Sequence, residues 1–160
     1  MMHLYIYQVF REPRPKADWS TETNFINNPE LMPYADYVSG SVDRNTALHV
    51  LGERLERHGF GTLSGSAFTL APDAAQRYLK NRFEVFRKAL DALNKVTEAQ
   101  FIHSYQHVEG LFSDLHSDFS NPYSDYVMVA DELPVPFDQF IRMAEPGVPF
   151  YIGSIMDCHY

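Results

Sequence analysis

The chain has 160 residues, of which 45% are hydrophobic and 21% charged, and its formal net charge is −8. That length is about one domain, long enough to bury a real core, and the composition is not that of a disordered chain. The acidic balance argues against direct nucleic-acid binding and against an anionic membrane surface, because both need clustered Lys and Arg.

The charge is unevenly placed. Residues 1–96 hold 12 Lys/Arg and 11 Asp/Glu, a net +1, whereas residues 97–160 hold 10 Asp/Glu against Arg142 alone, a net −9. Such asymmetry points to an interaction surface. A lone cysteine, Cys158, excludes a disulfide within the chain and suits a reducing compartment. Residues Met1 to Tyr7 lack the basic start and apolar run of a signal peptide, and no stretch approaches the roughly 18 apolar residues of a membrane span. A soluble cytoplasmic protein is expected.

In chain order, the near-continuous aromatic and β-branched run His3–Phe10 reads as a strand buried on both faces. Residues 11–41 read as an irregular excursion. Pro13, Pro15, Pro29 and Pro33 interrupt it, Trp19 lies inside it, and Leu31, Tyr34 and Tyr37 suit one helical turn. Asp43 is a good N-cap for a helix whose apolar residues Ala47, Leu48, Leu51 and Leu55 recur at helical spacing, with Gly59 placed to end it. Residues 60–71 read as a hairpin turning at Ser64-Gly65-Ser66.

A long helix is expected near 73–95, opened by Asp73 and Gln76 in a capping-box spacing and carrying the apolar stripe Tyr78, Leu79, Phe83, Phe86, Leu90 and Leu93. A second capping box, Thr97 with Gln100, opens a predicted third helix over 98–118. Its apolar positions 101, 102, 105, 108, 112, 115 and 119 fall in an arc of about 140°, and Gly110 is its weak point. Tyr126–Ala130 reads as a buried strand, Pro136–Ala144 as a short helix and Phe150–Met156 as the last strand. The result is a single α+β domain over 1–160, with a mixed or antiparallel sheet packed against about three main helices and a β-α-β unit at the C-terminal end.

Few residues suggest chemistry. His103 and His107 are four apart on the predicted third helix, a spacing that can hold a divalent metal. Asp114 lies about 10 Å farther along the axis than His107, so a third ligand must come from elsewhere, such as His49, Cys158 or His159. The segment His103-Ser104-Tyr105-Gln106-His107 lacks the Glu that follows the first His of a zinc-protease helix. Cys158 and His159 are strand neighbours, hence on opposite faces, and do not make a catalytic pair. Gly59, Gly61 and Gly65 follow a helix and lack a Gly-Lys-Ser/Thr, so they are turn residues and not a phosphate loop. No cofactor is expected.

The carboxylates are the stronger signal. Glu109, Asp114 and Asp118 lie on the outer side of the predicted third helix, Asp125, Asp131 and Glu132 bracket the next strand, and Asp138 lies on the following helix. With only Arg142 nearby, most are expected to lack a local partner. With Tyr123, Tyr126 or Tyr105 as aromatic anchors they would form a surface presented to a basic protein. The expected function is non-enzymatic: an acidic protein-binding inhibitor or regulator, in its concrete form a DNA-mimic-like inhibitor of a nucleic-acid enzyme, such as a toxin-immunity or anti-defence protein. Two alternatives stand beside it. One is a small metal-dependent enzyme or metal-binding protein using His103 and His107. The other is a homo-oligomeric structural or regulatory domain that self-associates through its 12 Phe, 10 Tyr and single Trp.

Overall fold

Leu4–Phe10 form β1, and every residue in it except Tyr5 is buried. A strand with both faces covered must sit inside a sheet, and β1 does. It pairs in parallel with β5 (Tyr126–Val129) and antiparallel with β7 (Pro149–His159). The structure, a computed structural model, describes residues 4–31, 37–57, 59–119 and 125–159, with side chains for all of these except residues 81, 117–119 and 159.

The long strand β7 is the hub. Its other edge takes the hairpin β3 (Gly61–Ser64) and β4 (Ala67–Leu70) through residues 149–151, and the short β2 (Tyr37–Ser39) through residues 157–159. The hairpin turns tightly because Gly65 takes a positive φ of 60° at the first loop position. The two-residue β6 (Val135–Pro136) closes the far side on β5. The sheet order is β3-β4-β7-β1-β5-β6, with β2 attached to β7. At the C-terminal end β5, a helix and β7 follow one another along the chain, and β1 lies between the two strands.

Among the described residues the helices are α1 (Glu22–Ile26), α2 (Arg44–Arg57), α3 (Ala74–Leu93), α4 (Glu98–His103), α5 (Tyr105–Phe119) and α6 (Phe137–Met143), with a 3₁₀ turn at Lys16–Asp18. The architecture is α+β, a mixed sheet packed against helices. No helix among the described residues is long and apolar enough to cross a membrane.

Two cores lie on the two faces of the sheet. The larger joins Tyr7, Val9, Val127, Ile152 and Ile155 to Leu51 and Leu55 of α2, Ala74 of α3, and Phe137 and Phe140 of α6. The smaller joins Leu4, Ile6, Met128, Met156 and Cys158 to Phe25, Leu31 and Val38. In β7 the residues facing the larger core are 150 and 152, then 155, a break in the two-residue alternation of a strand. The register explains it: Tyr7 pairs with Ile155 and Val9 with Ile152, so Gln8 alone faces both Gly153 and Ser154. This bulge changes the phase of β7. Gly153 is required there, since a Cβ would lie 2.5 Å from a Phe10 ring carbon.

Several expectations need correction. Residues 11–41 are less irregular than their prolines suggest: they hold α1, opened by a capping box between Thr21 and Asn24, and β2. Tyr34 lies outside the described residues. Asp73 does not cap α3 with its side chain; it pairs with Arg77 Nε at 2.7 Å instead. The predicted third helix is two helices. The Thr97–Gln100 capping box forms as expected, but the helix stops at Ser104 (φ −128°, ψ 50°) and restarts at Tyr105, while Gly110 lies inside α5.

Candidate functional site

The sequence-predicted carboxylates separate into two kinds. Asp125 and Asp138 are not surface groups: they are 4% and 7% exposed. Asp125 Oδ2 accepts from Arg54 Nη1 at 2.6 Å, and its Oδ1 accepts from the Tyr5 N–H at 2.9 Å, which ties α2 and β1 to the start of β5. Asp138 pairs with Arg82 and ties α6 to α3. Neither can be presented to a partner. Glu109 and Asp114 are exposed on α5, and Asp131 and Glu132 are exposed in the turn after β5. Tyr126 is half-buried and packs against the smaller core. The Asp118 side chain and all of Tyr123 lie outside what the structure describes.

His103 ends α4 and His107 lies beyond the break at Ser104, so they do not share one continuous helix. No group of three or more His, Cys, Asp or Glu able to hold a metal occurs among the described residues. Cys158 is closed off as a nucleophile. It is fully buried, its Sγ–H donates to the Leu4 carbonyl at 3.3 Å, and burial, reinforced by Asp125 and Asp157, pushes the thiol up to about 12.

A polar knot ties the sheet bulge to the segment at Ser20. Gln8 is fully buried in the bulge. Its amide N–H groups donate to Ser20 Oγ (2.9 Å) and the Ala130 carbonyl (3.0 Å), and its oxygen accepts from the Ser20 N–H (2.9 Å) and Ser154 Oγ (3.0 Å). The Ser154 hydroxyl is thereby committed to the amide oxygen, while the Ser20 hydroxyl accepts from the amide and donates to Asp131 Oδ1 at 3.3 Å. Next to the knot, Arg44 donates to the carbonyls of Ile152 and Gly153, in the stretch of β7 that neither β4 nor β2 covers, and stacks 4.7 Å from the Trp19 ring. Trp19 thus holds its segment onto the sheet. Shallow clefts of about 380 and 310 Å³ flank it.

What remains unexplained by folding is a helical arm. α3 starts in the larger core with Ala74, Ala75 and Tyr78; beyond them, no described residue of α3, α4 or α5 belongs to either core. α3 and α5 pack on one another, and on them Phe86, Leu90, Leu93, Leu111 and Leu115 are half-buried and Val108 is buried, as expected of a two-helix seam. Beside that seam large apolar side chains stand in solvent: Phe83 is 62% exposed, Phe101 68%, Tyr105 71% and Phe112 58%. A scattered exposed apolar residue is ordinary, but four aromatics on one short arm are not.

The sequence stripes include all four; Tyr105 alone among them is an anchor candidate in the sequence, and Phe83, Phe101 and Phe112 are exposed as well. Phe83 lies at the edge of the α3 stripe, and Tyr105 and Phe112 lie on a line one position away from Val108, Leu111 and Leu115. The width of those stripes, broader than one neighbouring helix can cover, is the signal that could have found them. Compared with known proteins, the chain matches no family model, no curated protein and no solved structure.

Proposed function

We propose that this α+β domain is a non-enzymatic, protein-binding regulator that docks through its α3–α5 arm, the acidic side of the arm receiving a basic surface. The observation that carries this reading is the set of uncovered aromatics on α4, α5 and the part of α3 beyond Tyr78, none of whose described residues belongs to either core. Aromatic side chains supply most of the energy at interface centres, and leaving several in water is unfavourable by about 25 cal/mol per Å². Charge supports the same place: residues 97–119 carry four carboxylates and no Lys or Arg. Complementary charge mainly sets the rate and specificity of such an encounter.

An inhibitor of a nucleic-acid enzyme is one form of this function. It draws on exposed Glu109, Asp114, Asp131 and Glu132, and no longer on Asp125 or Asp138. The test is affinity capture of the natural partner at low and high salt, with wild type beside Glu109→Lys/Asp114→Lys and Phe83→Ser/Phe112→Ser. A basic surface bound by wild type, released by salt and lost in both variants is the expected result. Equal binding by all three proteins removes the arm from the function.

A further inference from the structure

Resting on the reading of the arm as a protein-docking surface, we infer that the basic surface it receives is α3 of a second copy of this chain, two arms packing as a symmetric four-helix bundle.

The two long helices of the arm are opposite in charge. Residues 74–95 carry six Lys/Arg and two Asp/Glu, whereas residues 97–119 carry four Asp/Glu and no Lys or Arg. The charges stand beside the uncovered aromatics. On α3, Phe83 has Lys80 three residues before it and Arg87 four after it, so both flank the ring on the helix surface. On α5, Glu109 lies four residues after Tyr105 and three before Phe112, between the two rings. Lys80, Arg87 and Glu109 are exposed, and none is in an ion pair among the described residues. Each helix therefore shows an apolar centre with an unneutralised flank, and the flanks have opposite signs.

A surface of this kind is complementary to itself. A two-fold axis running along the helices places α3 of one copy against α5 of the other, and the symmetry makes the same contact twice. Phe83 then meets Tyr105 and Phe112, while Lys80 and Arg87 meet Glu109. Helices so packed follow the ordinary four-helix geometry. At roughly 200 Å² per aromatic side chain, three rings exposed by about two-thirds offer about 400 Å² of apolar surface per copy, half of the ~800 Å² per partner of a standard stable interface. Flanking charges and Phe101 can supply the rest.

A charge-exchange experiment on the full chain tests this by sedimentation over a concentration series at low salt. Wild type is expected at twice the 18.5 kDa chain mass. Glu109→Lys puts a base beside the exposed rings of both helices, and Lys80→Glu/Arg87→Glu puts carboxylates beside the rings of both. Each variant alone is expected to self-associate roughly tenfold more weakly or worse. Mixed together they are expected to form a heterodimer, since each then offers the other the opposite charge, and that restoration also shows both to be folded. A wild-type chain that stays monomeric, or a mixture no more associated than its components, overturns the second-copy assignment; capture of a foreign basic partner through the same aromatics would then leave the docking reading standing. Dimers unchanged in the charge variants and in Phe83→Ser/Phe112→Ser overturn both.

Discussion

Ala130 is the one described non-glycine residue with a positive φ, 50°. It ends β5: its N–H donates to the Val9 carbonyl at 2.8 Å and its carbonyl accepts from Gln8, so the strained backbone is held from two sides. An L-residue in this region costs about 1–2 kcal/mol, and glycine removes that strain while adding entropy to the unfolded chain. Ala130→Gly is therefore expected to raise stability by about 0.5–1 kcal/mol, read as a higher urea midpoint with unchanged slope. Titration supplies a second expectation at this scale. Cys158 moves from an ordinary 9.0 to about 12 because its surroundings are dry, with Asp125 and Asp157 adding to the effect. Burial is also the first cause for Tyr5, Tyr7 and Tyr78, all raised. In each case the folded state holds a proton that the unfolded state releases. Stability from these groups is thus complete below their unfolded pKa and falls as pH rises through the interval above it. Denaturant midpoints should drop steadily between 9.0 and about 12, less steeply in Cys158→Ala. A flat alkaline limb would contradict the burial of these groups.

At the scale of elements, two ion pairs fasten helices that the sheet ladder cannot reach. Arg54–Asp125 joins α2 to the approach to β5, and Arg82–Asp138 joins α3 to α6. Asp125 is 5% exposed at the side chain and Arg54 34%, so part of the pair is still hydrated. Asp125→Asn is expected to cost about 2 kcal/mol, as for a lost hydrogen bond to a charged group, and Arg54→Met in the same background should cost little more. Full additivity in a double-mutant cycle would dissolve the pair as a unit. These latches also show what the sequence could not reveal. β1, α2, the hairpin, the body of α3, β5, α6 and β7 are legible because local periodicity and turn chemistry specify them. Asp125 and Asp138 read as surface carboxylates because their arginines lie 71 and 56 residues away, beyond any local pattern. Three-residue β2 exists only because the end of β7 offers it an edge. α1 carries its capping box with Asn24 in place of the usual Glu or Gln. The break at Ser104 has no Pro or Gly to announce it, and the apolar arc runs on across it. In the arm, the sequence showed amphipathic helices but could not show that one side of the stripe has nothing to cover it.

At the scale of the whole molecule the domain is unevenly held. The sheet is built from the two ends of the chain, since β1 lies between β7 and β5 and β7 also carries β4 and β2. Every described residue of both cores lies on the strands, on α1, α2, the start of α3 and α6, or in the segments beside them. Such long-range pairing makes the platform one cooperative unit: opening β1 from β7 exposes both cores together. The arm has no such support. Among the described side chains between Leu79 and His116 only Val108 is buried, and a two-helix seam of half-buried side chains opens at a fraction of the global cost. Native-state amide exchange should divide accordingly. In the monomer, β1, β5 and the centre of β7 are expected to exchange only through global unfolding, with a free energy equal to that from denaturant titration. α4, α5 and the C-terminal half of α3 are expected to exchange through local opening at a lower free energy, insensitive to low denaturant. Raising the protein concentration should then protect the arm selectively, because whatever covers Phe83, Tyr105 and Phe112 stabilises their helices by mass action and leaves the strand exchange governed by the platform. Arm amides that match the strands at high dilution would mean that α3–α5 fold as part of the platform. In that case the exposed aromatics would be features of a rigid surface, and docking would add contacts without adding order.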